Sequence, residues 1–438
     1  MRYSTGALLA LFGRIGALLL GTLVAVALAR WLGPAARGEF ALVTLVPAVL
    51  VAVASLGLGP AELHLVSRDQ RRYGAAVANA LLFAAAASAV TAVIVLALAP
   101  ALVRAIPVLR EPALMTVVVL SVPPLLFYSF VHHLLQAMRA FAWSSALLVV
   151  GYLLFLAALA PLVGVLGLGL GGALVAWLGS HALLALVGLY ALVRTGPLSR
   201  PDLGLLRVEL RYGLPSWAAG VALIAATRAP LLVAGLVLAP AEVGRLAVAI
   251  TLVEMLWYAA DSAGVALAPL VARATGAGGA VPTPLVARTV LAITALGALV
   301  LGAVAHPLLV VLFGTGFADG AAPLRWLLPG VVALAVAKVL ASDLFGRGRP
   351  GRALVGFGAG AGVSVALSLL LVPVLGTTGA ALAASLSYAA AAACLLVLYV
   401  RETGTGIGAL ILPRRADARV VWLLVRGTSP GPLVGSGG

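Results

Sequence analysis

The sequence predicts an all-α polytopic membrane protein, with about twelve transmembrane helices in two parallel six-helix bundles. Three observations lead to this prediction: a strongly apolar composition, twelve long apolar stretches and a turn that occurs twice. Of the 438 residues, 63% are hydrophobic and only 9% are charged, whereas soluble domains are about one-quarter charged. Water is therefore not the main solvent of this chain.

Twelve stretches are long and apolar enough to cross a bilayer, which takes about 20 residues as a helix. They cover residues 6–29, 38–62, 74–99, 113–137, 141–163, 168–193, 213–238, 241–271, 285–312, 323–345, 351–372 and 378–400. The resulting domains are an N-terminal bundle (1–194), a linker (195–212), a C-terminal bundle (213–400) and a basic tail (401–438).

A ten-residue pattern occurs twice, as LGPAARGEFA from Leu32 and LAPAEVGRLA from Leu238, 206 positions apart. The informative matches are Pro34 with Pro240 and Gly38 with Gly244, because leucine and alanine are common in this chain. A second repeated segment aligns LAPLVGVLGLGL at 159–170 with LVPVLGTTGAAL at 371–382. Six helices per half is an even number, so both halves enter the membrane in the same direction, as parallel repeats do.

The net charge of +15 is explained by membrane topology rather than by nucleic acid. If the N-terminus is cytoplasmic, eighteen of the 28 basic residues lie on inward loops and tails, six lie on outward loops and four lie within spans. This bias satisfies the positive-inside rule and places both termini in the cytoplasm. We therefore expect a multi-pass membrane protein that binds no nucleic acid.

The connections leave no room for a soluble catalytic domain. The longest connection is the linker, in which Leu203, Leu206 and Leu210 share a helical face, so we predict a cytoplasmic interfacial helix; a disordered linker is the alternative. The sequence contains no nucleotide-binding loop, zinc motif or nucleophile elbow, and the His132-His133 pair lacks a nearby acidic or cysteine partner. We expect neither enzymatic activity nor a metal or cofactor, and Cys394 is the single cysteine.

Five ionisable residues lie deep within apolar spans: Arg14, Arg228, Glu254, Asp261 and Lys338. Exposure to lipid would cost about 2.5 to 3.5 kcal/mol for each of them, so they should face an aqueous cavity or one another. Cations from both halves suit an anion, and arginine matches phosphate with a bidentate fork. We predict that Arg14, Arg228 and Lys338 line this cavity, although Lys338 could instead extend toward the cytoplasmic surface.

The predicted eighth span carries four polar or aromatic residues at helical spacing, Glu254, Trp257, Tyr258 and Asp261. A straight helix would place them in one stripe. We predict that this stripe lines the cavity, where aromatic rings stack on sugars and a carboxylate binds a proton or sodium ion. The alternative is an interhelical ion pair, such as Glu254 with Arg228, with the two aromatic residues as interface anchors.

Several motifs resemble a known family over nearly the whole chain, from about residue 6 to residue 400. They are RWLGPAARGEFAL at 30–42, RYGLP at 211–215, LAPAEVGRLAVA at 238–249, LFGTGFADGAAPLRWLLPG at 312–330 and LVPVLGTTGAALAASLSY at 371–388. In order and spacing they are similar to the polysaccharide-biosynthesis branch of the multidrug/oligosaccharidyl-lipid/polysaccharide exporter superfamily, which includes O-antigen and capsule-unit flippases.

The resemblance implies two bundles forming a V around a central cavity, and alternating access for an undecaprenyl-pyrophosphate-linked oligosaccharide. It also implies that cavity cations such as Arg14 and Arg228 meet the pyrophosphate, and that polymerase and glycosyltransferase machinery are partners of an otherwise monomeric protein. Relatives often carry R-x-D in helix 7, whereas this chain has Arg228-Ala229-Pro230. Arg228 therefore either pairs with Glu254 or remains free for substrate.

Two other functions are compatible with parts of the sequence. A drug or organic-cation antiporter would use the same scaffold, but its site should be net acidic, whereas the five deep charges comprise three cations and two anions. A membrane-embedded glycan polymerase or ligase would need a large outward loop, and the outward loops here are short.

Overall fold

The computed structural model describes the backbone of residues 2–277 and 283–412, and their side chains except those of 2–15, 265, 266, 269 and 272–277. Within these ranges the chain folds into α-helices joined by turns and short 3-10 or π segments. The helices are α1 (Arg2–Ala54), α2 (Leu58–Arg68), α3 (Tyr73–Ala105), α4 (Pro112–Ala137), α5 (Phe141–Leu159), α6 (Gly169–Thr195), α7 (Leu203–Val237), α8 (Pro240–Glu254), α9 (Trp257–Ala277), α10 (Thr283–Phe313), α11 (Ala321–Gly346), α12 (Pro350–Thr403) and α13 (Ile407–Ile411). The all-α prediction is confirmed for the described chain.

Two of these helices are too long to be single membrane spans. α1 has 53 residues and α12 has 54, which corresponds to about 80 Å at 1.5 Å per residue, against a hydrocarbon core of about 30 Å. Each is divided by a glycine with non-helical dihedral angles, Gly33 (φ 73°, ψ 175°) in α1 and Gly376 (φ 58°, ψ −135°) in α12. Both breaks fall within connections that the sequence predicts between spans.

By length and composition, nine helices of the described chain are able to cross a membrane, or ten if the bent pair α8 and α9 counts as one more span. α1 and α12 are each counted once in this number although a glycine divides each of them. The chain is thus a multi-pass helical membrane protein, and the number of twelve crossings stays a prediction.

Three predicted elements differ from the observed ones. The span predicted at 38–62 is interrupted because Leu56 (φ 42°) and Gly57 (φ 76°) leave the helical region, so α1 ends at Ala54 and α2 is a separate helix. The span predicted at 241–271 is divided into α8 and α9, which meet at 45°. At this bend Leu256 N bonds the carbonyl of Val253 and Tyr258 N bonds that of Met255, so the i→i−4 ladder is interrupted.

The third difference concerns the linker. Asp202 caps α7, because its side chain accepts a hydrogen bond from Leu205 N at 3.0 Å, and α7 then continues without a break to Val237. The predicted linker helix is therefore the first part of α7 and not a separate element. Leu205 and Glu209 on this part are buried, and α7 packs on α1, α2 and α3 of the first half. The basic tail is described only to residue 412, so its remainder lies outside the described residues.

The repeated turns contact each other, and we call the end of the molecule at which 34–38 and 240–244 lie the repeat end. A Cβ on Gly38 would overlap the carbonyl oxygen of Pro240 and would lie 2.8 Å from Gly244 N. A Cβ on Gly244 would likewise overlap the carbonyl oxygen of Pro34 and would lie 3.0 Å from Gly38 N. The two backbones are therefore in direct, reciprocal contact, as small residues allow between membrane helices.

This contact joins the two halves and predicts the effect of adding one methyl group. Gly38→Ala should lower the melting temperature of the protein in lipid nanodiscs, because overpacking costs about 1 to 3 kcal/mol. Gly362→Ala is the matched control, since a Cβ there meets open space and alanine favours a helix over glycine by about 0.5 to 1 kcal/mol. Equal melting temperatures for the two variants would contradict the contact.

Candidate functional site

The deep charges of the second half form two ion pairs between helices. Arg228 of α7 donates from Nη1 to Glu254 Oε1 at 2.6 Å. The side chains remain partly accessible, with exposed fractions of 33% for Arg228 and 25% for Glu254. Glu254 thus supplies the acidic partner that the Arg228-Ala229-Pro230 sequence lacks within α7, which is the ion-pair alternative of the sequence analysis.

The second pair joins α11 to α9. Lys338 Nζ donates to Asp261 Oδ1 at 2.7 Å and lies 4.6 Å from the ring centroid of Trp257, a distance that allows a cation–π interaction. The exposed fraction is 13% for the Lys338 side chain and 54% for that of Asp261. The Lys338 ammonium is held by two residues of α9, and the carboxylate is the accessible member of the pair.

The predicted stripe on the eighth span is not a straight helical stripe, because the chain bends between Glu254 of α8 and Trp257 of α9. Trp257 is 8% exposed and packs edge-on against Tyr388, with ring centroids 5.9 Å apart. Tyr258 is 44% exposed and interacts with Tyr152 of α5. The stripe prediction assumes a straight helix, whereas the bend leaves Glu254 on α8 and places the buried Trp257 together with the accessible Tyr258 and Asp261 on α9.

Side chains from both halves meet at this site. Thr22 of α1 contacts the Met255 sulfur at 3.7 Å, beside Glu254, and Tyr152 belongs to the first half. Arg14 is in α1, but its side chain lies outside the described residues, so its predicted place in the cavity stays a prediction. Among the described deep charges, two cations are paired with two carboxylates.

At the opposite end of the bundle, which we call the linker end, the halves meet again around Gly57 and Gly213. A Cβ on either glycine would overlap the backbone of the other. Trp217 Nε1 donates to the carbonyls of Ala52 and Val53, each at 3.0 Å. A cavity of about 370 Å³ lies beside this contact, between α1, α2, α4 and α7. None of the predicted site residues lines it.

The structure also brings together polar residues that the sequence analysis does not single out. Glu62 of α2 and Glu209 of α7 are both fully buried at the linker end, and Asn79 of α3 donates to Glu209 at 3.3 Å. Burial, and then the neighbouring Glu209, raise the pKa of Glu62 well above its usual range. The sequence contains a signal for their burial, because both glutamates lie between apolar residues. Glu62 is the last residue of a predicted span and Glu209 lies near the end of the predicted linker, so neither counts as a charge deep within a span.

Among the described residues, no group of three or more histidine, cysteine or acidic side chains is arranged to hold a metal ion. His132 contacts Gln136 at 2.6 Å and Ser144 at 3.0 Å, and the His133 ring bonds the carbonyl of Ser129. These contacts are those of residues that pack between helices.

The fold is that of a multi-pass helical membrane protein, in which two halves meet at both ends and ion pairs join the helices between them. A family described as "Polysaccharide biosynthesis protein" matches residues 27–319. The chain therefore belongs to the polysaccharide biosynthesis protein family. A search of curated proteins gives no significant match.

Solved structures show the same fold at low sequence identity. The chain is similar to the lipid II flippase MurJ in an inward closed conformation, with a TM-score of 0.74 and 10% identity over 97% of this chain and 94% of that chain. It is also similar to an inward-facing multidrug resistance MATE family transporter of the MOP superfamily, with a TM-score of 0.66 and 18% identity over 88% and 96% of the two chains.

A third similar structure is a MOP superfamily transporter from Pyrococcus furiosus that is described as having a reverse polarity of its binding pocket; the TM-score is 0.59 and the identity 17% over 91% of this chain and 95% of that chain. The predicted MOP-type fold is confirmed by these likenesses. The family and its structural neighbours are transporters and flippases rather than enzymes.

A double-mutant cycle tests the energetic coupling between Arg228 and Glu254. Arg228→Met or Glu254→Gln alone leaves one partner unmatched and should destabilise the protein by about 1 to 3 kcal/mol, less than for a fully buried pair because both groups are partly exposed. The double variant should recover most of this loss. The measurement is thermal unfolding in nanodiscs, and additive losses would show that the pair is not coupled.

Proposed function

We propose that the protein is a flippase, which moves an undecaprenyl-pyrophosphate-linked oligosaccharide from the cytoplasmic to the outer leaflet of the bacterial inner membrane. Transport proceeds by alternating access and supplies surface polysaccharide biosynthesis. The observation that carries this proposal is the pair of Arg228 and Glu254, which stays partly accessible between the two points at which the halves meet. Family membership supports a role in polysaccharide biosynthesis, and the fold suits rocking of the two halves.

The chemistry of the pair favours an anionic substrate. The guanidinium of Arg228 donates a hydrogen bond to the Glu254 carboxylate. A phosphate oxygen accepts the same kind of charge-assisted hydrogen bond as a carboxylate oxygen does. Pyrophosphate would therefore replace Glu254 at Arg228 and Asp261 at Lys338. Tyr258, which is accessible beside these pairs, would stack on a sugar ring. Arg14 would add a third cation from the first half.

The two end contacts supply the gates of this cycle. The bias of basic residues supports a cytoplasmic linker end and cytoplasmic termini, and in this cycle the linker end opens to admit the pyrophosphate and the first sugars. The prenyl tail stays in lipid beside the gap between the halves. The linker end then closes, and separation of Gly38 from Gly244 at the repeat end exposes the sugar outside.

The proposal assigns no cofactor, metal or nucleic acid to the protein. Its partners are the lipid-linked oligosaccharide, membrane lipids and, for delivery and use of the substrate, glycosyltransferases and a polysaccharide polymerase. A monomer is sufficient, because both gates and the site lie within one chain. The proposed energy source is coupled transport of protons or sodium ions, with Glu254 or Asp261 as the residue that binds the ion.

Binding of a short-chain prenyl pyrophosphate tests the role of Arg228. Arg228→Gln should weaken binding at least about tenfold, because a hydrogen bond to a charged group contributes about 1.5 to 3 kcal/mol and 1.4 kcal/mol is tenfold in affinity. Glu254→Gln should preserve or strengthen binding, since it removes the competing carboxylate. The measurement is calorimetric titration of the protein in nanodiscs.

Arg245→Gln is the control, because Arg245 pairs with Asp319 at 3.5 Å near the repeat end and away from the site. It should bind the prenyl pyrophosphate as the native protein does. Equal losses for the Arg228 and Arg245 variants would contradict the proposal. If an organic cation binds instead, and Asp261→Asn abolishes that binding, the antiporter function holds.

A further inference from the structure

Glu62 is a fully buried carboxyl group for which the structure provides no neutralising partner. It is 0% exposed, and neither of its side-chain oxygens has a hydrogen-bond partner among the described residues. Asp343 is a buried carboxyl group of the same fold that does have hydrogen-bond partners. It is equally buried, but it accepts hydrogen bonds from Thr283, Arg347 and Tyr399.

A second buried carboxyl group faces Glu62 from the other side of the interface. Glu209 lies on the first part of α7 and is 0% exposed. Its Oε2 accepts a hydrogen bond from Asn79 Nδ2 at 3.3 Å, whereas its Oε1 has no partner within the described chain. The two carboxyl groups interact electrostatically, so each disfavours the ionised form of the other.

The surrounding groups do not replace the missing donors. The other charged and titratable side chains on α2, on residues 69–73, on the second half of α4 and on the first part of α7 with its cap are His64, Arg68, Asp69, Arg71, Arg72, Tyr73, Tyr128, His132, His133, Asp202, Arg207, Arg211 and Tyr212. Arg72 attracts Glu209 but is bound to Asp69 at 3.2 Å. Burial, and then Arg68, lower the pKa of His64, so this ring is neutral at physiological pH and stacks on Tyr212 with centroids 4.4 Å apart.

Glu62 and Glu209 also lie at the contact that closes the linker end. α2 begins directly after Gly57, and the first part of α7 ends at Gly213, whose backbone touches that of Gly57. A change that separates α2 from α7 at the two carboxyl groups therefore also separates the glycine contact. The two carboxyl groups are in a position to control the gate.

We infer that Glu62 and Glu209 form a proton-binding site that holds the linker end closed. The pair keeps at least one proton while α2 and α7 are in contact. When the last proton leaves for water, two like charges remain in an unhydrated site, and α2 separates from α7 as water enters. This coupling is distinct from the Arg228 site and gives transport a proton-linked step.

The direction of the pH dependence follows from the raised pKa of Glu62. The open state hydrates the carboxyl groups and returns them toward the ordinary glutamate pKa of about 4.3. The closed state binds protons more tightly, so its advantage is complete below the open-state pKa and is lost as the pH rises through the closed-state pKa. Rising pH on the linker side should therefore open the linker end.

Spin labels at exposed positions on α2 and α7 test this inference. The labels are attached to Ser67→Cys and Val208→Cys in a Cys394→Ala background. With the protein in nanodiscs, double electron–electron resonance measures the distance between the two labels. We expect a short distance at acid pH and a growing long-distance population at higher pH, with a midpoint at least about one pH unit, or tenfold in proton affinity, above the ordinary glutamate value.

Amide substitutions then identify the residues, because glutamine has the shape of a protonated glutamate. Glu62→Gln together with Glu209→Gln should keep the short distance at every pH. Glu111→Gln, at an exposed position outside the interface, should respond as the parent protein does. The inference is overturned if the double variant opens with the parent midpoint.

A second measurement covers the case in which the double variant does not fold. Infrared spectra of the parent protein at neutral pH should show the carbonyl band of a protonated carboxylic acid, and Glu209→Gln alone should shift or remove it. A parent spectrum without this band would overturn the inference. Neither measurement uses a lipid-linked sugar. Both therefore still test the proton-binding site if the flippase proposal is wrong.

Discussion

The direct contact between the backbones of α1 and α8 at the repeat end is the constraint on which the rest of the structure depends. Neither Gly38 nor Gly244 tolerates a Cβ without overlap with a carbonyl oxygen of the other half. Because both helices run from this contact toward the linker end, its position sets how the halves face each other. The ionisable residues of the core come to lie between this contact and the one at Gly57 and Gly213.

Carboxylates of the protein itself neutralise the described deep cations. Arg228 and Lys338 each bind a carboxylate at hydrogen-bond distance, which removes most of the cost of a charge in an apolar bundle. In the proposed function, a substrate anion therefore exchanges with a carboxylate at each cation. Such exchange favours a charged headgroup over a neutral lipid. At the linker end Glu62 lacks this balance, and a proton is the simplest means of supplying it.

The sequence predicts much of this arrangement, and its failures have physical causes. The duplicated turns are recognisable because a backbone contact requires glycine in both copies. An ionisable residue within a span requires an oppositely charged partner or water. The sequence therefore leaves two alternatives for Arg228, and the ion pair with Glu254 is one of them. The stripe that begins at Glu254 is bent rather than straight, because the helix breaks after Glu254 and helical periodicity holds only while a helix is continuous. Glu62 and Glu209 are 147 positions apart, and only tertiary packing brings them together.

The account rests on movement of the two halves at the repeat end, and reversible cross-linking tests it most directly. Cysteines at Ala35 and Ala241 in a Cys394→Ala background would be joined by a cleavable linker, and flipping of a lipid-pyrophosphate oligosaccharide would be measured in liposomes. The account predicts that flipping stops when the two positions are joined and resumes after cleavage. Flipping at an unchanged rate in the cross-linked protein would contradict it.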